Sequence, residues 1–430
     1  MRACEIAQHA RFQNLECRTE NRLSVCNQIF RIFRLIPSPS ICLNLLSLYK
    51  YLQEKDAVAI SYSLPLQPEP FSHQVSSVFF DNLLPPETVR KRLGKILHLS
   101  RHNVFGFLKA IGGDCAGAIA LYPPNETEDF ATPVCRELSE EEAAQILNEL
   151  PMRPLNLGRE KGFRISGTGA QDKLIACLKD GKIFLPLFGM PSTHIIKPPV
   201  TVYPDSVFNE FFCMRLAKAM RIPAPACEIL TLKGISYYCV TRFDRQVIDG
   251  KINRLHQEDF CQLFSVDPEK KYENEGGPNI SNCFNLIKKL RLGAAGQVDF
   301  LRRIIFNVLI GNGDAHAKNF SVLYHGKNIQ LAPVYDLLCT EIYDELAHET
   351  AMTIGGATAF SEITRESFKQ MAQNCEIHSE LVLNLLDELL AELPRISRSL
   401  AEELNLQYSS QIYEKICRII ERQAEKLSKA

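Results

Sequence analysis

The sequence lacks any apolar run of the roughly 18 to 20 residues that a membrane-spanning helix needs. The nearest candidate, residues 29–51, mixes apolar with basic residues and is broken by Pro37 and Pro39. A secretory signal peptide would begin earlier and would end at a small-residue cleavage site, and this segment does neither. We therefore interpret residues 1–50 as a poorly specified N-terminal extension and expect no contact with a membrane.

Net charge and paired cysteines are also missing. The 430 residues include 49 basic and 50 acidic side chains, which leaves a formal charge of −1. No global field would draw such a protein to nucleic acid, so DNA contact would need a local patch or a partner. The 15 cysteines are scattered without a CxxC pair or the Cys/His spacing of a zinc site. This usage is typical of a reducing compartment, and we expect a cytoplasmic protein.

The composition that is present is ordinary for a globular protein, with 46% hydrophobic and 23% charged residues, in a chain long enough for two or three domains. Residues 51–150 predict a small α/β N-terminal subdomain. Residues 151–245 predict a β-rich lobe with one helix and with hairpin turns at Asp180–Gly181 and Lys233–Gly234. Residues 246–430 predict a mostly helical lobe. The fold class that follows is α+β.

The most informative segment is GNGDAHAKN at residues 311–319, which follows a helix with one apolar face. Asp314 and Asn319 have the D-x4-N spacing of a kinase catalytic loop, and Asp336 follows a predicted hairpin. Phosphoryl transfer needs a carboxylate that accepts the proton of the attacking hydroxyl, and hard oxygen ligands for Mg²⁺. Lys318 is a candidate partner of the transferred phosphate. Each residue alone also fits an ordinary turn, so these residues by themselves leave both interpretations open.

Two further clusters favour nucleotide chemistry. The glycines of SGTGAQDK at residues 166–173 would let backbone N–H groups turn toward phosphates, although the G-K-[ST] ending of a Walker A loop is missing and a plain hairpin turn is the alternative. Lys197 ends the predicted strand THIIK, and Glu210 lies on the next helix. Kinases hold phosphates with a strand lysine that is supported by a helix glutamate. A surface lysine is the alternative, but the ordered set of features favours a kinase.

Several strings resemble, in order, the motifs of the HipA family of serine/threonine kinase toxins. They are FRISGTGAQDKL, THIIKPP, NE at 209–210, VTRFDR, LHQEDFCQLF, KYENEGGP, GNGDAHAKNFSV and LAPVYD. The resemblance covers residues 55–345 densely and the helical tail more loosely. It implies a protein-kinase-like, two-lobed architecture and an ATP- and Mg²⁺-dependent serine/threonine protein kinase from a type II toxin–antitoxin system.

The resemblance also implies a role for each matching residue. Asp314 would be the catalytic base, Asn319 and Asp336 would hold Mg²⁺, and Glu210 would support Lys197 as an ion pair. Thr168 to Lys173 would form the phosphate loop, and Thr241 to Phe243 the hinge toward adenine. The residues implied to contact the nucleotide are Thr168, Gly169, Ala170, Gln171, Asp172, Lys173, Lys197, Thr241, Arg242, Phe243, His316, Ala317, Lys318, Asn319, Tyr335 and Asp336.

Regulation and partners follow from the same resemblance. Ser166 matches the family's autophosphorylated serine, whose modification would eject the phosphate loop and inactivate the kinase. Phosphate added beside a loop that binds phosphate is repulsive, which makes such a switch physically reasonable. The implied partners are a HipB-like helix-turn-helix antitoxin, a protein substrate that is by analogy an aminoacyl-tRNA synthetase, and DNA only through the antitoxin.

The sequence departs from the family pattern at three places. Residues 1–50 show no sign of the strands with which the family opens, Thr241 stands where some members have Glu, and the segment 198–205 is short. A catalytically weak co-repressor that binds an antitoxin and DNA is therefore one alternative function. A small-molecule kinase is another. The presence of Asp314, Asn319, Lys197 and Asp336 favours an active kinase over the co-repressor, and the strings SGTGAQDK and HIIKPP favour a protein kinase over a small-molecule kinase.

Overall fold

The computed structural model describes residues 59–69, 71–122, 133–326 and 328–429, together with the backbone of three strands within residues 15–47. The strands are β1 (Leu15–Thr19), β2 (Phe30–Pro37), β3 (Leu43–Ser47), β4 (Ile119–Tyr122), β5 (Val134–Glu137), β6 (Leu174–Lys179), β7 (Lys182–Leu187), β8 (His194–Lys197), β9 (Cys227–Leu232), β10 (Ile235–Thr241), β11 (Arg245–Ile248), β12 (Lys251–Arg254), β13 (His256–Asp259), β14 (Ser321–His325), β15 (Asn328–Leu331), β16 (Glu349–Ile354) and β17 (Ala357–Ala359).

The helices complete the α+β content predicted from sequence. They are α1 (His73–Asp81), α2 (Glu87–Leu97), α3 (Val104–Ile111), α4 (Glu140–Glu149), α5 (Ser206–Ala219), α6 (Phe260–Phe264), α7 (Ile280–Lys289), α8 (Gly293–Leu309), α9 (Arg365–Asn374), α10 (Ser379–Asn405) and α11 (Ile412–Ser428). Within the described ranges, none of these helices combines the length and the apolar character required to cross a membrane.

The chain divides into two compact units. The first comprises Met1–Thr193 and Asp244–His256, and the second comprises His194–Phe243 and Gln257–Ala430. The phosphate loop predicted from sequence belongs to the first unit, and the predicted catalytic loop belongs to the second. The domain boundaries predicted at residues 50, 150 and 245 stay predictions.

The first unit contains an antiparallel sheet in the order β3-β2-β1-β4. Three of these strands lie in residues 1–50, where the sequence predicted no strands, so that prediction was wrong for these backbone segments. Their residues do not alternate between apolar and polar, and β1 pairs with β2 on one side and with β4, about a hundred residues later, on the other. The remainder of the predicted N-terminal extension lies outside the described residues. Helices α1 and α2 are separated at Pro85–Pro86, because proline cannot donate a helical hydrogen bond.

A second set of strands in the first unit runs in the order β5-β7-β6. The predicted hairpin between β6 and β7 is confirmed, with Asp180 and Gly181 at φ 50° and 73°, as a two-residue type I′ turn requires. The apolar segment FRISG, at residues 163–167, forms one bridge, between Ile165 and Asp114. The residues on either side of this bridge have no strand pairing.

The second unit has the strand order β8-β10-β9, with Lys197 opposite Tyr238 and His194 opposite Thr241. The predicted turn at Lys233–Gly234 joins β9 to β10. Helix α5 packs on β9 and β10. Further along, β13-β14-β15 and β16-β17 form two small sheets, the second of which the sequence did not predict.

The core of the second unit is built around α8. Its predicted apolar face is buried, with Phe300, Leu301 and Ile305 fully enclosed, and it packs on α7 and α10. The helix ends at Leu309, and Gly311 follows with φ 70°, a left-handed conformation that glycine adopts without strain. The buried helix therefore delivers the chain directly into the predicted catalytic loop.

Candidate active site

A buried charge cluster centres on Lys197, the last residue of β8. Its Nζ atom donates to both carboxylate oxygens of Glu210, at 2.8 and 3.0 Å, and also to the Asp336 carboxylate. The side chains of Lys197 and Glu210 are 7% and 8% exposed, whereas that of Asp336 is 37% exposed. The structure thus brings together three side chains that the sequence singled out. One of them, the Asp336 carboxylate, remains partly exposed to solvent.

The charge state of Lys197 follows from its neighbours. Burial lowers its pKa, but the carboxylates of Asp336 and Glu210 outweigh burial and raise the pKa above the usual value. The ammonium group therefore stays charged at neutral pH. A fixed positive charge beside a partly exposed carboxylate is suited to binding phosphate groups and a divalent cation together.

Glu210 is placed by its neighbour on α5, the buried Asn209. The Asn209 amide donates from Nδ2 to the Cys339 carbonyl at 2.9 Å, and its Oδ1 accepts from the Cys339 N–H at 2.8 Å. Because Cys339 lies three residues after Asp336, this pair of hydrogen bonds joins α5 to the segment that carries the aspartate. Asn209 lies in the NE dipeptide that resembles a family motif, but no sequence pattern indicated its role.

The backbone of Asp314 is held by two side chains and one backbone N–H of the predicted catalytic loop. Its N–H donates to Asn312 Oδ1 at 3.0 Å, and Asn312 donates in turn to Asn307 on α8 at 2.7 Å. Its carbonyl accepts from the Asn319 side chain at 2.8 Å and from the His316 N–H at 2.8 Å. The D-x4-N spacing therefore closes a compact loop in which Asn319 fixes the backbone of Asp314.

Thr340, which the sequence analysis did not single out, joins the catalytic loop to the segment after Asp336. Its hydroxyl accepts from the Gly313 N–H at 2.7 Å and donates to the Gly311 carbonyl at 3.1 Å, and its own N–H donates to that carbonyl at 2.9 Å. A side chain at Gly313 would lie 2.5 Å from the Glu349 carbonyl oxygen. Only glycine fits at this position without a shift of the backbone.

The carboxylate of Asp314 is 40% exposed and accepts a hydrogen bond from the Tyr272 hydroxyl at 2.6 Å. His316 Nε2 lies 3.8 Å from the same oxygen. Burial lowers the pKa of His316 to about 4, despite the opposing effect of the Asp314 and Asp336 carboxylates. The imidazole is therefore neutral at neutral pH. Tyr272 was missed by the sequence analysis, although KYENEGGP was recognised as a motif.

Lys318 and Tyr335 support the loop from the other side. Lys318 Nζ donates to Asp259 Oδ2 at 2.5 Å, so this candidate phosphate partner is engaged by a carboxylate here. The Tyr335 hydroxyl donates to the Lys318 carbonyl at 2.7 Å and lies 2.6 Å from the Ser321 hydroxyl. Ala317, between His316 and Lys318, is fully buried.

The predicted hinge begins where β10 ends. The Thr241 N–H donates to the Ala226 carbonyl at 2.8 Å, and its hydroxyl lies 3.2 Å from His194 Nε2. Arg242 is buried, and the Phe243 ring lies 5.5 Å from the Tyr335 ring at an angle of 30°. The hinge is thus joined through an aromatic pair to the residue that precedes Asp336.

The predicted phosphate loop is closed by its own lysine, within the first unit. Lys173 Nζ donates to the Thr168 carbonyl and passes Gly169, which has φ 91°. Asp172 accepts two hydrogen bonds from Arg92, at 2.8 and 3.1 Å. Of the two loop residues between Gly169 and Asp172, Ala170 is exposed and Gln171 is half-buried.

Ser166, which precedes this loop, is 2% exposed. Its hydroxyl donates to the Leu83 carbonyl at 2.5 Å, and its N–H donates to the Asp114 carbonyl at 3.0 Å. The hydroxyl therefore becomes accessible only when the segment leaves this position.

The residues predicted to hold magnesium have suitable donor chemistry. Asp336 supplies a partly exposed carboxylate, and Asn319 uses its amide nitrogen on the Asp314 carbonyl, which leaves the amide oxygen as the ligand atom. Mg²⁺ prefers such oxygens and usually completes its shell with water and substrate phosphates. In the described part of the chain no group of three or more His, Cys, Asp or Glu side chains could hold a metal ion alone. The site therefore fits an ion that is shared with a phosphate ligand.

Comparison with known families gives two matches. The description "HipA-like C-terminal domain" matches residues 165–396, and "HipA N-terminal domain" matches residues 46–122. The first match spans the predicted catalytic loop, Lys197, Glu210 and Asp336.

Individual proteins agree with the family matches. The chain is 38% identical over 356 residues to protein Y4mE of Sinorhizobium fredii, a kinase by name, with 80% of this chain and 84% of that protein covered. It is 33% identical over 315 residues to the serine/threonine-protein kinase toxin HipA of Shewanella oneidensis, with 70% and 71% covered. A solved complex of Shewanella oneidensis HipA with HipB and operator DNA contains a chain that matches with a TM-score of 0.82 and 25% identity, over 96% of this chain and 97% of that one.

Proposed function

Since the chain belongs to the HipA family of serine/threonine kinases, we propose that it transfers the γ-phosphoryl group of ATP to a serine or threonine hydroxyl of a protein. One observation carries this proposal: Lys197, buried in an ion pair with Glu210, also forms an ion pair with the partly exposed Asp336 carboxylate. Together these groups offer a fixed positive charge for the phosphates and a ligand for the metal. The catalytic loop with Asp314 lies in the same unit.

In the proposed reaction, Asp314 accepts the proton of the attacking hydroxyl. The hydroxyl oxygen bonds to the γ-phosphorus while the bond from phosphorus to the oxygen bridging to ADP breaks, and ADP leaves with that electron pair. Asn319 and Asp336 would hold Mg²⁺, which neutralises phosphate charge when bound. Lys197, kept in place by Glu210, would contact the phosphates.

The rest of the proposed nucleotide site follows the segments described above. The hinge Thr241–Phe243 would contact adenine mainly through backbone groups, so Thr241 in place of Glu leaves this contact unaffected. Arg242 and Phe243 lie in that hinge, and the Tyr335 ring lies beside Phe243. His316 to Asn319 would line the phosphate side. The loop Thr168–Lys173, in the first unit, is proposed to bind phosphate through its backbone N–H groups.

Autophosphorylation of Ser166 is the proposed off-switch. The serine is 2% exposed and its hydroxyl is bonded to the Leu83 carbonyl. A phosphate group carries a charge near −2, and placing it in this enclosed site without a cation would be very unfavourable. The phosphorylated segment would therefore be unable to return to the position described here.

Partners are proposed from the relatives. Because the solved Shewanella oneidensis HipA structure also contains HipB and operator DNA, we propose a HipB-like antitoxin as partner, with DNA contacted through it. The protein substrate suggested by the resemblance is an aminoacyl-tRNA synthetase.

The decisive experiment compares the parent with Asp314→Asn. Loss of the base is expected to slow phosphoryl transfer by about 10²–10⁴-fold while nucleotide binding and folding persist. Self-labelling from radioactive ATP would give the rate, and phosphoproteomics of cells that express each form would name the substrate. Asp344→Asn, at an exposed aspartate of the same unit, is the matched control and is expected to behave as the parent. Parental labelling by Asp314→Asn would show that the site is assigned wrongly.

The switch has its own test. Ser166→Ala is expected to remove most self-labelling while nucleotide binding persists, and Ser100→Ala, at an exposed serine of the same unit, is expected to change neither. Phosphopeptide mapping that finds phosphate only at other residues would contradict the assignment of Ser166.

A further inference from the structure

The motif KYENEGGP forms a tight turn whose role is not explained by nucleotide binding. The carbonyl of Tyr272 accepts from the N–H groups of Glu275 and Gly277, at 3.1 and 2.8 Å. A side chain at Gly277 would lie 2.6 Å from that carbonyl oxygen, so the turn closes only around glycine. We call residues 271–277 the Tyr272 turn.

The Tyr272 turn is anchored to β16. The Glu273 carboxylate accepts from the Thr353 N–H at 2.6 Å and from the Thr353 hydroxyl at 3.1 Å. A turn closed by two internal hydrogen bonds and fixed by two more to a strand has little freedom to move. The side chain of Tyr272 therefore starts from a rigid base.

The Tyr272 side chain is directed at the catalytic loop. Its hydroxyl donates to Asp314 Oδ1 at 2.6 Å, and its ring meets the His316 ring edge to face, at 5.0 Å and 81°. Lys271 Nζ lies 4.9 Å from the centre of the tyrosine ring. The ring contacts fix the direction of the hydroxyl, and the hydroxyl in turn fixes one oxygen of the carboxylate.

The Asp314 carboxylate has few other constraints. The loop hydrogen bonds described above hold its backbone, and within the described residues the Tyr272 hydroxyl is the hydrogen-bond donor to its side chain. His316 Nε2, at 3.8 Å, is too far for a hydrogen bond. An aspartate side chain that is 40% exposed would otherwise sample several rotamers.

We propose that Tyr272 is a positioning residue for the base: it holds Oδ1 of Asp314 so that Oδ2 faces the incoming hydroxyl. This inference rests on the proposed function. A blocking role for Tyr272 is disfavoured because the carboxylate remains 40% exposed with the tyrosine in place. Holding a reacting group within a fraction of an ångström of its working position contributes substantially to the rate, since a misplacement of about 1 Å can cost about 10²-fold.

The test is Tyr272→Phe, which keeps the ring and removes only the hydroxyl. Self-labelling at saturating ATP is expected to slow by about 10- to 100-fold. The ATP concentration for half-maximal rate and the dissociation constant of a fluorescent ATP analogue are expected to stay at the parental values. A role confined to folding would change binding and the thermal midpoint together with the rate.

The matched control is Tyr413→Phe. The hydroxyl of Tyr413 is buried in the same unit and makes no hydrogen bond with the described residues, so its loss is expected to leave rate and binding unchanged. A parental rate for Tyr272→Phe beside an inactive Asp314→Asn would overturn the inference and leave the proposed function standing. A faster Tyr272→Phe would show that the hydroxyl blocks the base, which also overturns the inference. Parental labelling by Asp314→Asn would instead defeat the proposed function itself.

Discussion

Asp114 in the first unit and Asp336 in the second each lie in a cluster of buried charge. The two carboxylates differ in how far their oxygens are occupied by hydrogen-bond donors and in how exposed they are. Asp114 Oδ1 accepts from Arg245 at 2.8 Å and Arg254 at 3.1 Å, and its Oδ2 accepts from the Ser192 N–H and hydroxyl at 3.1 and 2.6 Å. The Asp114 side chain is 3% exposed, against 37% for Asp336. Asp114 is enclosed and fully occupied, whereas Asp336 is open to a ligand.

The cations of the two clusters, Arg245 and Lys197, differ in how many backbone groups they bind. Arg245 also donates to the carbonyls of Gly117 and Cys115, so its planar fork joins several backbone segments. Lys197 presents a compact charge on a flexible stem, and its ammonium group contacts the carboxylates of Glu210 and Asp336. Buried charge therefore serves structure where all hydrogen-bonding capacity is used, and can serve chemistry where a carboxylate remains partly exposed.

The largest expected effect is on stability, from Asp114→Asn. The change removes the negative charge that two buried guanidinium groups, those of Arg245 and Arg254, share, and breaking a buried ion pair costs about 3–5 kcal/mol. Urea unfolding followed by circular dichroism would measure the loss. Asp180→Asn, in the exposed hairpin turn of the same unit, is the control and is expected to change the free energy of unfolding by less than about 0.5 kcal/mol. Similar small losses for both variants would remove the distinction between the clusters.

The converse is expected for Asp336→Asn, where activity falls and stability hardly changes. Removal of the proposed metal ligand is expected to lower the rate of phosphoryl transfer by about 10²–10³-fold. Lys197 keeps Glu210 as its buried partner, so the unfolding free energy is expected to fall by less than about 1 kcal/mol. A large loss of stability with unchanged activity would mean that Asp336 is a structural residue like Asp114.

A smaller effect concerns pH and His256, which follows Arg254 in the first unit. Its imidazole donates to the Ile60 carbonyl at 2.8 Å, and burial lowers its pKa from 6.5 to about 4. As the pH falls, the unfolded chain binds a proton at His256 before the folded protein does. The neutral His256 therefore stabilises the folded protein fully above pH 6.5, and this stabilisation is lost as the pH falls toward 4. Between pH 7 and 5 this amounts to about 2 kcal/mol. Urea unfolding of His256→Gln is expected to show a correspondingly weaker acid dependence, and that of the exposed His348→Gln the parental one.

The smallest effect is expected at an exposed cluster, where Arg398 of α10 bridges Glu414 and Glu421 of α11. All three side chains are 37–44% exposed, and such pairs contribute about 0–1 kcal/mol. Arg398→Gln is expected to shift the unfolding midpoint slightly, and less at high salt. A loss of stability as large as that of Asp114→Asn would show that burial and the number of hydrogen bonds do not determine how much each cluster stabilises the protein.

Local patterns in the sequence were sufficient where short-range rules dominate. The turns at Asp180–Gly181 and Lys233–Gly234, the break at Pro85–Pro86 and the apolar face of α8 all follow from backbone conformation and helical periodicity. The strands β1 to β3, and the reduction of FRISG to one bridge, could not be predicted this way. These segments lack the alternation that marks a strand, and two of the pairings, β1 with β4 and Ile165 with Asp114, join parts of the chain that are distant in the sequence.

By itself the sequence determined the α+β class, the family and the identities of Lys197, Glu210, Asp314 and Asp336, because residue type and spacing specify chemistry. Only the tertiary structure decided which carboxylates are enclosed and which are exposed, and that Tyr272, Asn209 and Thr340 make hydrogen bonds to Asp314, Cys339 and Gly313. These supporting contacts join residues from 27 to 130 positions apart. Folding alone sets their distances, and no local pattern records them.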